Sequence, residues 1–230
     1  MTATYQHTAA TLALMARAPV IPVLTVRDEA DGLDQARALV AGGLPAIEVT
    51  LRTPAALAAI GAIARQVKGA VVGAGTVLDA EMMEAAIGAG AVFLVSPGMT
   101  QAFLPAAAKS PIPFLPGCAT ASEAMALAEY GFRALKFFPA EAAGGAKYLA
   151  SLAGPLGQLH FCPTGGIDLE KAKTYLALSN VRCVGGSWMI PMAALEAGDL
   201  ARVERLAREA AGLARSTLTS FMKLSTVTPP

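Results

Sequence analysis

The amino-acid sequence predicts an α/β fold: a single (β/α)8 TIM barrel over about residues 18–215, carrying an extra N-terminal helix. Three observations lead there. Short apolar, β-rich runs alternate with longer Ala/Leu-rich stretches eight times over. The composition is 54% hydrophobic but only 6% aromatic, which suits small-residue helix faces packed closely on buried parallel strands. The glycine pairs come late in the chain rather than after the first strand. A length of 230 residues fits one such domain.

Each element has its own signature. A first helix near Thr8 to Arg17 is read from alanine and leucine content. Val20 to Val26, Ala46 to Arg52 and Val71 to Val77 read as strands. Helices at Asp31 to Val40, Pro54 to Val67 and Ala80 to Ile87 follow them, with apolar residues at three- and four-residue spacing. Phe93 to Pro97 and Pro113 to Ala119 are the next strands, with helices at Thr100 to Lys109 and Ala121 to Tyr130. Ala134 to Pro139, His160 to Gly165 and Cys183 to Trp188 complete the set, with helices at Ala146 to Leu152, Leu169 to Leu178 and Leu200 to Ala214. Gly42-Gly43, Gly90 and Gly131 fall just past helices, where a left-handed residue closes the last turn.

Such alternation also fits an open, doubly wound sheet. A dinucleotide fold would carry G-x-G-x-x-G after its first strand, but that strand here ends Thr25-Val26-Arg27-Asp28. The pairs Gly165-Gly166 and Gly185-Gly186 instead fall by the last two strands, where barrel enzymes bind phosphate through bare backbone N–H groups. A phosphorylated small molecule is therefore favoured over a nucleotide cofactor.

Several classes are excluded. The longest charge-free stretch, Ala85 to Ala108, is broken by Ser96-Pro97-Gly98, Thr100-Gln101 and Pro105, so no apolar run reaches the ~18–20 residues of a spanning helix. Lys and Arg number 18 against 17 Asp and Glu, a net charge of +1, which argues against a broad basic surface for nucleic acid or anionic membrane. Cys118, Cys162 and Cys183 are odd in number and set apart in apolar segments, and read as buried reduced thiols. His7 and His160 lack metal-ligand spacing and read as surface or structural groups; Trp188 reads as packing. No Asp/His/Glu cluster points to a metal, and no cofactor is expected. Met1 to Met15 carries no Lys or Arg, so a basic signal-peptide start is missing and the cytoplasm is the expected compartment.

With only 15% charged residues, a charge inside a strand is informative. Ile47-Glu48-Val49-Thr50-Leu51-Arg52 alternates, so Glu48, Thr50 and Arg52 share one side of their strand. Lys136 sits between leucine and phenylalanines, and the nearest acids in sequence are Glu129 and Glu141. It reads either as a snorkelling or ion-paired group, with Glu48 as partner, or as a nucleophilic amine that forms a Schiff base with a carbonyl. Glu48 reads as a counter-ion, a general acid/base, or both at different steps. Arg52 reads as a rim salt bridge or as a fork for a substrate carboxylate. The turns Gly73-Ala74-Gly75-Thr76 and Ser96-Pro97-Gly98 are small enough for backbone donors to approach a ligand, or are simply tight.

Six segments together resemble a known family: Glu48-Val49-Thr50-Leu51-Arg52-Thr53, Val72-Gly73-Ala74-Gly75-Thr76-Val77-Leu78, Ser96-Pro97-Gly98, Lys136-Phe137-Phe138-Pro139-Ala140-Glu141, Phe161-Cys162-Pro163-Thr164-Gly165-Gly166-Ile167 and Gly185-Gly186-Ser187-Trp188. They are similar to 2-keto-3-deoxy-6-phosphogluconate (KDPG) aldolases, class I aldolases of the KDPG/KHG aldolase family, with the likeness running from about Thr8 to Ala214. The resemblance implies a homotrimeric (β/α)8 barrel that splits KDPG reversibly into pyruvate and D-glyceraldehyde 3-phosphate in the Entner–Doudoroff pathway, without metal or organic cofactor. By position it implies Lys136 as the Schiff-base lysine, Glu48 as proton acceptor and donor, and Arg52 as the carboxylate-binding group. It puts Thr76, Pro97 and Phe138 at the pyruvate end, and Gly165, Gly166, Gly186 and Ser187 at the phosphate end. Ala119 departs from a serine in some members, a change in the pocket wall that removes no catalytic group. Other main substrates stay open, namely 4-hydroxy-2-oxoglutarate or the galactonate isomer of KDPG. So does a different class, a non-covalent phosphate-ligand binding barrel with Lys136 only a counter-ion.

Overall fold

Parallel strands alternate with helices in the computed structural model, which describes residues 3–214. The side chain of His7 and the tail from Ser225 to Pro230 lie outside the described residues. In chain order the elements are α1 (Ala3–Met15), β1 (Val20–Leu24), α2 (Glu29–Ala41), β2 (Ala46–Thr50), α3 (Ala56–Gln66), β3 (Val71–Gly75), α4 (Ala80–Ala89) and β4 (Leu94–Val95). There follow α5 (Leu104–Ala107), β5 (Phe114–Leu115), β6 (Gly117–Cys118), α6 (Ala121–Glu129), β7 (Ala134–Phe137), α7 (Gly145–Ser151), β8 (His160–Pro163) and α8 (Leu169–Leu176). β9 (Val184–Gly186), α9 (Met192–Glu196) and α10 (Leu200–Ala211) end the described fold.

Helix starts follow capping chemistry. Asp28, Asp79, Asp168 and Asp199 each accept a backbone N–H in the first turn of α2, α4, α8 and α10. Thr120 and Glu123 form a reciprocal capping box on α6. Of the glycines expected past helix ends, Gly43, Gly90 and Gly131 are left-handed (φ +91°, +106° and +89°), whereas Gly42 stays right-handed.

The strands form two parallel sheets, one ordered β5-β4-β3-β2-β1-β9 and the other β6-β7-β8. Two expectations need correction, and one element was not expected. The fifth strand is not one run: Pro116 lacks the N–H that would continue the ladder and separates β5 from β6. The helix expected over Thr100 to Lys109 contracts to α5, after a turn in which the Thr100 side chain accepts from the Phe103 N–H. The short α9, begun after Pro191, carries no sequence signal used above.

Alternation along the strands separates two apolar layers. Val20, Leu24, Ile47, Val49, Val72, Leu135, Phe137, Phe161 and Val184 pack against the helices in the main core. Ile21, Ala46, Phe93, Val95, Leu115, Ala134, Cys162 and Cys183 form a second cluster on the other strand faces, joined by Leu14 and Met15 of α1. Side chains two apart share a face, so Ala46 leads to Glu48 and Thr50, and Ala134 leads to Lys136. The α1 end of this inner face is apolar, and its polar groups gather toward the strand C-termini.

Candidate active site

Glu48 and Lys136 meet on that inner face. They are 88 residues apart in sequence, yet Lys136 Nζ donates to Glu48 Oε1 at 3.1 Å, with side-chain exposures of only 5% and 3%. The ion-pair reading of Lys136 is thus realised, and the lysine that had no acid near it in sequence gains one from β2. The pair is a poor stabiliser, since desolvating two ions offsets their attraction and an apolar pair of similar volume is often as stable. Phe138 covers the amine from the other side, with its ring centroid 5.3 Å from Nζ.

Neighbouring backbones are shaped to this pair. A Cβ on Gly75 would overlap the Glu48 carboxylate, so the acid occupies space that only a glycine leaves free. Thr76, next in sequence, has φ +61°, a left-handed conformation strained for a β-branched residue. Its Oγ1 accepts from Arg52 Nε at 3.3 Å, which brings the exposed Arg52 guanidinium beside the end of β3. Thr50 Oγ1 donates to the Leu24 carbonyl at 2.8 Å and lies 3.1 Å from Thr25 Oγ1. The Pro97 carbonyl presses on Gly117, a position with no room for a side chain, and Gly117 is the register partner of Lys136. The Gly117 N–H donates to the fully buried Ser96 Oγ at 3.2 Å.

The late glycines gather at the same strand ends. Gly165 and Gly166 follow β8 with φ +106° and +75°, and a Cβ on Gly165 would touch the Phe138 ring. Thr164 and Gly185 form a parallel bridge, and the Thr164 hydroxyl fills the space a Gly185 side chain would need. Gly186 lies against the Trp188 ring and Ser187 is exposed just beyond β9; the expected packing role of Trp188 holds. So the structure joins Glu48, Lys136 and Phe138 directly, links Arg52 to Thr76, sets Pro97 against Gly117 beside the Lys136 strand, and brings Gly165 against Phe138. Gly186 and Ser187 connect to this group through the Thr164–Gly185 bridge.

Thiols offer no rival nucleophile. Cys118, Cys162 and Cys183 are free and buried. Burial, with a small contribution from Glu123, pushes the Cys118 thiol up to about 12, and burial beside Cys162 raises Cys183 well above its ordinary value, so both stay protonated at neutral pH. His160 stands at the opposite end of β8, where its Nδ1 accepts from Arg182 Nε at 3.2 Å. Among the described residues no group of three or more His, Cys, Asp and Glu is placed to hold a metal.

The family model described as KDPG and KHG aldolase matches residues 12–206. The chain belongs to this aldolase family. It is 50% identical over 197 residues to the KHG/KDPG aldolase of Escherichia coli (strain K12), covering 86% of this chain and 92% of that one. It is 49% identical to the 2-dehydro-3-deoxy-phosphogluconate aldolase of Dickeya dadantii, with the same coverage. Among solved structures, a KDPG aldolase from Legionella pneumophila, with pyruvate captured at low pH as a covalent carbinolamine intermediate, superposes with a TM-score of 0.85. It is 41% identical and is matched over 87% of this chain and 98% of that one. The aldolase from Zymomonas mobilis ATCC 29191 gives a TM-score of 0.83 at 47% identity, over 88% and 97%.

Sequence reasoning missed several groups that shape these strand ends. The sequence offers Gly75 as part of a turn that is either open to a ligand or simply tight, whereas the room it leaves for Glu48 depends on the pairing of β2 with β3. The hydroxyls of Ser96 and Thr164 carry no charge signal in the sequence. Their burial in an apolar strand context was the available clue.

Proposed function

We propose that the chain is a class I aldolase that cleaves 2-dehydro-3-deoxy-6-phosphogluconate reversibly to pyruvate and D-glyceraldehyde 3-phosphate, in the Entner–Doudoroff pathway. The observation that carries this reading is the buried Glu48–Lys136 pair at 3.1 Å among the family's motifs. Glu48 takes a proton from Lys136, and the freed amine attacks C2 of the keto acid. Glu48 returns a proton to the carbinolamine hydroxyl, water leaves, and an iminium forms. Glu48, directly or through water, then takes the C4 hydroxyl proton as the C3–C4 bond breaks. Its electron pair flows into the iminium, the aldehyde departs, and the enamine is protonated at C3 and hydrolysed to pyruvate. Arg52, oriented by Thr76, holds the carboxylate; Pro97 and Phe138 wall the pyruvate end. Gly165, Gly166, Gly186 and Ser187 receive the phosphate through backbone N–H groups and the serine hydroxyl. No step calls for a metal or an organic cofactor.

The same reading includes a closed (β/α)8 barrel, a homotrimer and a cytoplasmic location. Closure is supported at both seams: β5 and β6 are separated by Pro116 alone, and bridges Phe161–Val181 and Thr164–Gly185 run from β8 to the β9 side. Exposed apolar side chains such as Leu78, Met125 and Met192 support burial between subunits. Free buried thiols suit a reducing compartment. Activity on 4-hydroxy-2-oxoglutarate is part of the reading, because the E. coli relative carries both names.

Borohydride reduction in the presence of pyruvate tests it. The expected outcome is the mass of one reduced pyruvate adduct on Lys136, lost in Lys136→Ala together with turnover. An unmodified Lys136 would sink the covalent mechanism and favour a binding barrel.

A further inference from the structure

Glu141 lies outside the Glu48–Lys136 pair, and its side chain is engaged at both oxygens. Oε1 accepts from Tyr175 Oη at 2.6 Å, and Oε2 pairs with Lys171 Nζ at 3.2 Å. Burial, then Glu141 itself, raises the Tyr175 hydroxyl above its ordinary value, so it stays a donor. Lys171 Nζ also donates to the Gly166 carbonyl at 2.9 Å and lies 3.8 Å from Asp168 Oδ2. The Glu141 backbone N–H donates to the Gly165 carbonyl at 3.2 Å. A Cβ on Gly166 would crowd the Glu141 Cγ at 2.9 Å, so the carboxylate stem lies directly against this loop.

These contacts fix two successive peptide planes. The Gly165 carbonyl is held by the Glu141 backbone N–H, and the Gly166 carbonyl by the lysine that the Glu141 side chain pairs with. In a trans peptide the N–H points opposite to the preceding carbonyl. The Gly166 N–H therefore points away from the Glu141 N–H, and the Ile167 N–H away from Lys171 Nζ, and two successive N–H groups set in this way can turn toward an anion. We propose that Glu141, acting through Lys171 and Tyr175, is a positioning and specificity-determining residue that sets this loop for the substrate phosphate. The proposal rests on the aldolase reading and deepens it, because Glu141 touches no reacting atom.

The test compares kcat/KM on KDPG with kcat/KM on phosphate-free 4-hydroxy-2-oxoglutarate, with inorganic phosphate as a competing probe. Glu141→Gln keeps the shape and removes the charge that holds Lys171. The expected result is a roughly tenfold fall in the KDPG-to-4-hydroxy-2-oxoglutarate ratio, through KM for KDPG, with a parallel loss of phosphate inhibition. Adding Glu141→Gln to Lys171→Met should cost little beyond Lys171→Met alone, as expected of one brace. Tyr175→Phe leaves both charges, should lower the ratio in the same direction, and decides the matter if Glu141→Gln does not fold. Equal losses on both substrates, or an unchanged ratio, overturn the assignment. Wild-type enzyme without preference for the phosphorylated substrate would overturn the phosphate reading of the loop and this proposal with it. A wild-type preference that survives in the variants overturns this proposal alone.

Discussion

Gly75 shows how an unbranched position decides chemistry. Its missing Cβ is the space the Glu48 carboxylate occupies, so Gly75→Ala should displace the acid from Lys136 while leaving both groups in the chain. The expected cost is about 100-fold in kcat, the scale of a roughly 1 Å misplacement, with an unchanged circular dichroism spectrum. Near-normal turnover in that variant would mean that Glu48 placement is not limiting. Glu48, Arg52 and Lys136 were legible in the sequence because few charges compete for attention in so apolar a chain. That Glu48 is the partner of Lys136 was only one of the readings, and it needed the fold to choose it. Gly75 was legible only as a small residue, because the atom it accommodates comes from another strand.

At the scale of the element, the expected strands begin close to the observed ones but run too far at their C-terminal ends. Ala46 to Arg52, Val71 to Val77, Ala134 to Pro139 and His160 to Gly165 shorten to β2, β3, β7 and β8. The residues shed include Arg52, Thr76, Phe138 and Gly165. Local composition continues the strand, whereas the structure ends it there, with φ +61° at Thr76. Helix ends marked by a glycine, such as those of α4 and α6, were close to expectation because a left-handed residue acts within one turn, whereas α1 starts at Ala3 instead of near Thr8. The seam between β8 and β9 supplies a further prediction. A Cβ on Gly185 would overlap the Thr164 hydroxyl, so Gly185→Ala should destabilise by about 2 kcal/mol through overpacking. That lowers Tm by roughly 4–8 °C for a domain of this size. Pyruvate trapping on Lys136 should persist, and its loss would show that the seam controls the amine as well as the proposed phosphate end.

For the whole molecule, the 54% hydrophobic composition is satisfied by two apolar layers, one between strands and helices and one on the other strand faces, joined by Leu14 and Met15 of α1. It also leaves large apolar groups outside, including Met125 and Met192 at 53% and 58% exposure. The proposed homotrimer accounts for them, and light scattering should return three times the chain mass. A monomer at micromolar concentration would remove that account. No helix among the described residues is long and apolar enough to cross a membrane, in line with the broken charge-free stretch noted in the sequence.

The sequence by itself determined the alternation of strands and helices, the side of β2 on which Glu48 lies, and the isolation of Lys136 among apolar neighbours. These follow from local rules, the two-residue repeat of a strand and the scarcity of charge. Only the tertiary structure decided that Glu48 reaches Lys136 across 88 residues, that Gly75 leaves room for the carboxylate, and that Pro116 divides a strand in two. The hold of Glu141 and Lys171 on the Gly165 and Gly166 carbonyls is likewise set only by packing. Contacts between elements depend on which strands become neighbours and on the volume left between them. Neither quantity is written in any single stretch of chain.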